Sequence, residues 1–132
     1  CRLQIEHRTI SGDSDAQVIS EIQDILNRLA SEDATFQGTV KSLLSRQPSE
    51  ITSETELVRI LSQASVGVLG HHPKYIGVAY WMDTALLSAA GIETVTIGPI
   101  GAGAHAEIEW VEIQSLIDLA EILIATSVDY CQ

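Results

Sequence analysis

The stretch Gly98-Pro99-Ile100-Gly101-Ala102-Gly103-Ala104-His105-Ala106-Glu107-Ile108-Glu109-Trp110-Val111 concentrates residue types that can do chemistry. A glycine-rich turn after a buried strand exposes backbone N–H groups, which can hold a carboxylate or an oxyanion. His105 follows that turn, and Glu109 stands four residues further on. A neutral imidazole is a common metal ligand, and a neighbouring carboxylate can fix its tautomer. Judged by spacing alone, His105 is either such a ligand or an ordinary loop histidine.

Other residues carry narrower options. Arg8 can clamp a carboxylate through two parallel hydrogen bonds, or stand as a solvated charge across a strand. Asp83, in Trp81-Met82-Asp83-Thr84, can cap a short helix. It also falls at a strand end, where sites form in α/β sheets. His71 and His72 are adjacent, so their side chains diverge, as in a solvated turn. Strand, Gly-x-x-Gly-x-Gly and helix suggest a dinucleotide turn, but that fingerprint needs an acidic residue at the end of a following strand. The closing helix is expected to run to about Thr126, and no strand follows it before Gln132. Ser-His-Asp and Cys-His catalysis lack support, because both cysteines are terminal and no Gly-x-Ser-x-Gly elbow occurs.

The elements that must position these residues follow from periodicity. Leu3, Ile5 and His7 alternate with Arg2, Gln4, Glu6 and Arg8, the pattern of a strand with one covered face. Ser14 with Gln17 forms a capping box for a helix over about 14–30, whose apolar stripe is Val18, Ile19, Ile22, Ile25, Leu26 and Leu29. Thr39–Leu44 reads as a second strand. The polar Arg46–Thr52 stretch reads as a crossing between lobes. Ser53 with Glu56 predicts another helix start, with Leu57, Val58, Ile60, Leu61 and Ala64 inward and Gly67 or Gly70 at its end. Tyr75–Tyr80 and Glu93–Ile97 read as strands. A short helix joins Asp83 to Gly91, and Gly98–Gly103 reads as a loop. Ile113, Leu116, Ile117, Ala120, Leu123 and Ile124 mark a closing helix to about Thr126. Helices alternating with strands predict an α/β fold with a partly parallel sheet.

Composition sets the limits. The 132 residues include 18 acidic and 7 basic side chains, for a net charge of -11, with 45% hydrophobic and 19% charged residues. A chain of this length and hydrophobicity is expected to fold around a real core. The acidic excess argues against nucleic acid or an anionic membrane as partner. No apolar run approaches the roughly 20 residues of a membrane span, and no signal peptide is visible at the start. Cys1 and Cys131 read as reduced thiols of a cytoplasmic protein. The chain opens without an initiator Met, directly in a strand-like pattern, and is expected to be part of something longer.

Taken together, Glu6-His7-Arg8-Thr9-Ile10-Ser11-Gly12, Trp81-Met82-Asp83-Thr84-Ala85 and Gly91-Ile92…Gly98-Pro99…Ala104-His105…Glu109 resemble the C-terminal third of one enzyme family. It comprises the dinuclear-zinc amidohydrolases and peptidases: acetylornithine deacetylase, succinyl-diaminopimelate desuccinylase, aminoacylase and glutamate carboxypeptidase. The resemblance covers essentially the whole chain and leans towards the first two members. It implies that residues 1–48 are the second half of a ferredoxin-like lid that dimerises. Residues 49–132 would be the C-terminal part of a zinc-peptidase-like catalytic α/β domain. By the same resemblance His105 is the last metal ligand, and Arg8 is the lid arginine that reaches a substrate carboxylate. Asp83 and Glu109 border the site, and Gly101 and Gly103 belong to the loop whose amides face the substrate.

The implied cofactor is a pair of zinc ions, with cobalt or manganese as substitutes, and the implied substrate is an N-acyl amino acid or small peptide. In such enzymes the metals polarise the carbonyl and activate water. Glu6, Ser11 and Met82 depart from the usual Asp, Pro and small residue of the family pattern. No His-x-Asp pair and no adjacent Glu-Glu occur here, so the remaining ligands and the general base are missing, and the chain alone is expected to be inactive. The alternative from another class is a non-catalytic association module that homodimerises through edge strands of residues 1–48.

Overall fold

The computed structural model describes residues 1–132 and contains helices and one small sheet, a mixed α/β composition. The elements in chain order are α1 (Asp15–Glu32), α2 (Glu56–Leu69), α3 (Thr84–Ala89), β1 (Gly101–Ala102), β2 (Trp110–Val111) and α4 (Ile113–Tyr130). They fall into two compact units. One comprises Cys1–Glu50 with Ala79–Ala85, the other Ile51–Val78 with Leu86–Gln132.

In the first unit, α1 starts where the local chemistry dictates. Ser14 adopts an extended backbone, and its hydroxyl accepts from the Gln17 N–H at 3.1 Å. The reciprocal half of the capping box does not form, because the Gln17 amide donates to Glu21 at 3.3 Å instead. Val18, Ile19, Ile22 and Leu26 are half-buried, whereas Ile25 and Leu29 are exposed. After α1, the Asp33 carboxylate accepts from the Thr35 N–H and hydroxyl at 2.8 and 2.7 Å. Those bonds hold its pKa below the ordinary carboxylate value. The chain then turns back so that Gly38 lies against Leu26 and the Phe36 ring, with room for no Cβ without displacing them.

The second unit is organised by α2 against α4. Val58, Leu61 and Ser65 of α2 and Ser115, Ile122 and Thr126 of α4 are its buried helical residues. Three of the six, Ser65, Ser115 and Thr126, are small hydroxyl residues. Ser65 donates to the Leu61 carbonyl and Thr126 to the Ile122 carbonyl, each at 2.7 Å. Each hydroxyl is satisfied within its own helix and costs little to bury. The stripe expected on α4 differs from the one observed: Ile113, Ile117 and Ile124 are 75%, 49% and 65% exposed. This helix is apolar on more than one side, so spacing alone did not select the buried face.

Several starts and strands also differ from expectation. Helix α2 begins at Glu56 with Thr55 as cap residue, not at Ser53, whose hydroxyl donates to Glu54 instead. The Thr55 hydroxyl bonds back to the Thr52 carbonyl and leaves the helix N–H groups without a side-chain cap of its own. The glycine ends are as expected. Gly70 caps α2 at φ 74. Gly91 at φ 78 closes α3 in a Schellman arrangement, with Gly91 N–H on Ser88 and Ile92 N–H on Leu87.

Leu3–His7, Thr39–Leu44, Tyr75–Tyr80 and Glu93–Ile97 form no ladder, so the partly parallel sheet is not present. Alternation marks a side-chain pattern, but a strand exists only where a second chain segment supplies its hydrogen bonds. The buried apolar residues are few: Val58, Leu61 and Ile122 in the second unit and Ala85 in the first. Replacing Ile122, 3% exposed, by Ala should lower the urea-unfolding free energy by about 2–4 kcal/mol. Ile124→Ala on the exposed face should stay within about 0.5 kcal/mol; circular dichroism through both urea titrations measures the contrast.

Candidate functional site

The Gly98–Val111 region is a built hairpin. Strand β1 pairs antiparallel with β2, Gly101 opposite Val111 and Ala102 opposite Trp110. Gly101, expected in an open loop, is therefore a ladder residue. The hairpin is pinned at its base. The Glu112 N–H donates to the Ile100 carbonyl at 2.8 Å, and the Ile100 N–H donates to the Ser115 hydroxyl at 2.9 Å. Ser115 in turn donates to the Glu112 carbonyl at 2.7 Å. One buried serine in the first turn of α4 thus fixes where the hairpin leaves the helix.

The glycines are required by this closure. A Cβ on Gly101 would stand 2.5 Å from the Trp110 carbonyl oxygen, and one on Gly103 would stand 2.0 Å from that of Ile108. Gly103 also has φ 79, which L side chains rarely adopt. At the tip, the Ala106 N–H donates to the Gly103 carbonyl at 2.8 Å and tightens the turn. His105 lies inside this turn with φ 63, the one non-glycine residue of the chain in the left-handed region. That conformation costs an L-residue roughly 1–2 kcal/mol, and non-glycine residues held there cluster at functional sites. The ring is exposed and takes no hydrogen bond from the protein. Glu109 is exposed, directly before β2, and makes no hydrogen bond to His105.

Arg8 and Asp83 belong to the other unit. The Arg8 guanidinium donates to the Ala79 carbonyl and pairs with Glu6 at 2.7 Å, its side chain 58% exposed. Arg8 therefore anchors the start of the segment that carries Asp83. The Trp81 indole N–H donates to the Gln47 carbonyl at 3.3 Å, and the Arg46 guanidinium lies 5.7 Å above the Trp81 ring. Asp83 is exposed and directly precedes α3. Its carboxylate makes no capping hydrogen bond; the first turn is instead closed by the Ala85 N–H on the Met82 carbonyl. His71 bonds the His72 carbonyl at 3.1 Å in an exposed turn, as expected of solvated residues.

Sequence reasoning missed Ser115, Arg46 and Glu93. Glu93 accepts from the Leu57 N–H of α2 and from the Tyr130 hydroxyl of α4, each at 3.4 Å. It thus places a carboxylate at the positive end of α2, where the local cap is lacking. Desolvation first, and the Glu93 charge second, push the Tyr130 phenol above its ordinary pKa. No local signal marks these contacts, because the partners lie 36 and 37 residues apart.

A metal makes a further demand. Zinc takes at least three protein ligands even where a position is left open, and no group of three His, Cys, Asp or Glu side chains converges anywhere in this chain. The residues present do not by themselves form a zinc site; His105 offers one donor. Comparison with protein-family models, with curated proteins and with solved structures returned no match to this chain.

Two outcomes test the geometry. Gly103→Ala should shift the backbone amide resonances across Gly101–Val111 while those of α2 and α4 hold still, since its clash lies within the hairpin. For Tyr130, a raised folded pKa means that its contribution to stability is complete below the unfolded phenol value and lost as pH rises through the folded one. Alkaline unfolding above about pH 10 should therefore be steeper in the unaltered chain than in Tyr130→Phe, followed by circular dichroism.

Proposed function

We propose that this chain is one part of a metal-dependent hydrolase that cleaves the amide bond of N-acyl amino acids or small peptides. In this reading residues 1–48 belong to a lid and residues 49–132 to a zinc-peptidase-like catalytic domain. The remaining metal ligands and the general base come from polypeptide outside these residues, and the chain alone is inactive. His105 is the metal ligand; Gly101 and Gly103 shape the loop beside it, with Glu109 and Asp83 at the border. Arg8 receives the substrate carboxylate, in exchange for its pairing with Glu6. The setting is cytoplasmic, with Cys1 and Cys131 as free thiols. Both are exposed and unbridged, and no helix is long and apolar enough to cross a membrane.

The observation that carries this reading is the state of His105. An imidazole held in a costly backbone conformation, at the tip of a pinned hairpin and without a protein partner, fits a donor waiting for a ligand. His105→Gly separates the two roles. Glycine relieves the left-handed strain, so the fold should be as stable as before or more stable by up to about 1 kcal/mol. Zinc content and amide hydrolysis of the complete enzyme should fall together. Full zinc occupancy in that variant would refute the ligand role. Arg8→Ala should raise KM for the acyl amino acid and leave zinc content unchanged.

A second reading, a homodimerising module, draws support from the first unit. Leu3, Ile5, Leu43 and Leu44 are 78%, 64%, 59% and 71% exposed on segments that form no ladder. Sedimentation equilibrium of the chain decides it: a dimer that takes up no zinc favours the module, and a monomer rejects it.

A further inference from the structure

An open cavity of about 350 Å³ lies in the second unit between residues of α2 and α4. Leu57 and Leu61 of α2, Leu123 of α4, and Leu87, Val95 and Ile97 form its apolar wall. Leu87 and Leu123 remain 43% and 45% exposed, so part of that wall is left to water at an energetic cost. Apart from the Cys131 thiol, the polar side chains of the wall are engaged within the chain. The Thr94 hydroxyl donates to the Ile92 carbonyl at 3.0 Å. Those of Thr126 and Ser127 donate to the Ile122 and Leu123 carbonyls, each at 2.7 Å. The Tyr130 hydroxyl donates to Glu93, which also accepts the Leu57 N–H, each at 3.4 Å. A hydroxyl has one proton to give, so none of these offers a donor to an occupant. An anion entering here meets no hydroxyl donor and faces the Glu93 charge.

We propose that this cavity binds a neutral, compact apolar molecule with the bulk of two fused six-membered rings. The size follows from the volume. An apolar cavity of about 150 Å³ takes up benzene, and this one is more than twice as large. One aromatic side chain from a protein partner would leave it half empty, whereas a two-ring molecule fills it. The volume also lies within the roughly 300–1,000 Å³ of small-molecule sites. Apolar contact with the leucine wall supplies the attraction, and Glu93 supplies selectivity against acids.

A second copy of the chain is a poorer occupant, since it would bring a further net charge of -11 to the same wall. The structure also supplies a reporter. Cys131 lines the cavity as an exposed free thiol, so a bound molecule covers it. Cys1, equally free and exposed, lies in the other unit and serves as the internal control. The inference stands on the second unit alone and is independent of the hydrolase proposal.

The test uses the unaltered chain and so cannot fail through misfolding. The probe is 2-naphthalenemethanol, with 2-naphthoate as an anion of the same ring skeleton. The alcohol should move the NMR methyl resonances of Leu57, Leu87 and Leu123 and leave those of Leu3 and Leu43 in place. At about ten times its Kd it should slow iodoacetamide alkylation of Cys131 about tenfold, read by peptide mass spectrometry, with Cys1 unaffected. At neutral pH 2-naphthoate should bind at least about tenfold more weakly. Leu87→Trp, which fills the cavity from an exposed position, should abolish the shifts at Leu57 and Leu123. Unmoved methyl resonances in the unaltered chain, equal slowing of both cysteines, or equal affinity for the carboxylate overturns the proposal. Methyl shifts that grow with protein concentration in the absence of probe would assign the cavity to a second copy and overturn it as well.

Discussion

The contact between α2 and α4 is the constraint on which the second unit rests. Its buried residues include the small Ser65 and Thr126, with hydroxyls folded back onto their own helices. A larger side chain at either buried position would overpack the unit, and an unsatisfied hydroxyl there would be costly. Both ends of the pair then become anchor points. At one, Ser115 takes the Ile100 N–H and fixes the hairpin. At the other, Glu93 joins Leu57 to Tyr130 and ties the start of α2 to the end of α4.

The hairpin is held at that base by the Ile100 bonds to Glu112 and Ser115. Its two strands cross so closely that Gly101 and Gly103 have no room for a side chain, and the tight turn forces His105 into a left-handed backbone. The same geometry that makes the glycines necessary therefore presents the imidazole outward. The hydrolase proposal draws its force from this coupling of closure and display, since the chain does not gather further metal donors around the ring. In the first unit, Arg8 and the Arg46–Gln47 stretch hold Ala79–Trp81, so Asp83 is carried on a segment secured by a cation and an indole.

Helices were legible in the sequence, and strands were legible only as candidates. The expected span of about 14–30 meets an α1 of Asp15–Glu32, because Ser14 and the apolar stripe act within a turn or two. Gly70 and Gly91 stop their helices for an equally local reason. Alternation at Leu3–His7 or β-branching at Glu93–Ile97 describes one side of a pairing and carries no information about its partner. For the site, the glycine-rich turn and His105 stood out by residue type. The hairpin that holds them did not, since its register follows from Ile100 meeting Glu112 and Ser115.

The sequence by itself determined the helical segments, their glycine ends, the acidic surface and the place of the single histidine beyond the glycines. These rest on interactions spanning a few residues, or on charge that no fold can alter. Tertiary structure decided which face of α4 is buried, which carboxylate serves α2, and that Gly101 pairs across a ladder. It also decided that His105 stands in a strained turn without a partner. Each of those depends on residues far apart in the chain meeting at ångström distances, and no local pattern specifies such a meeting.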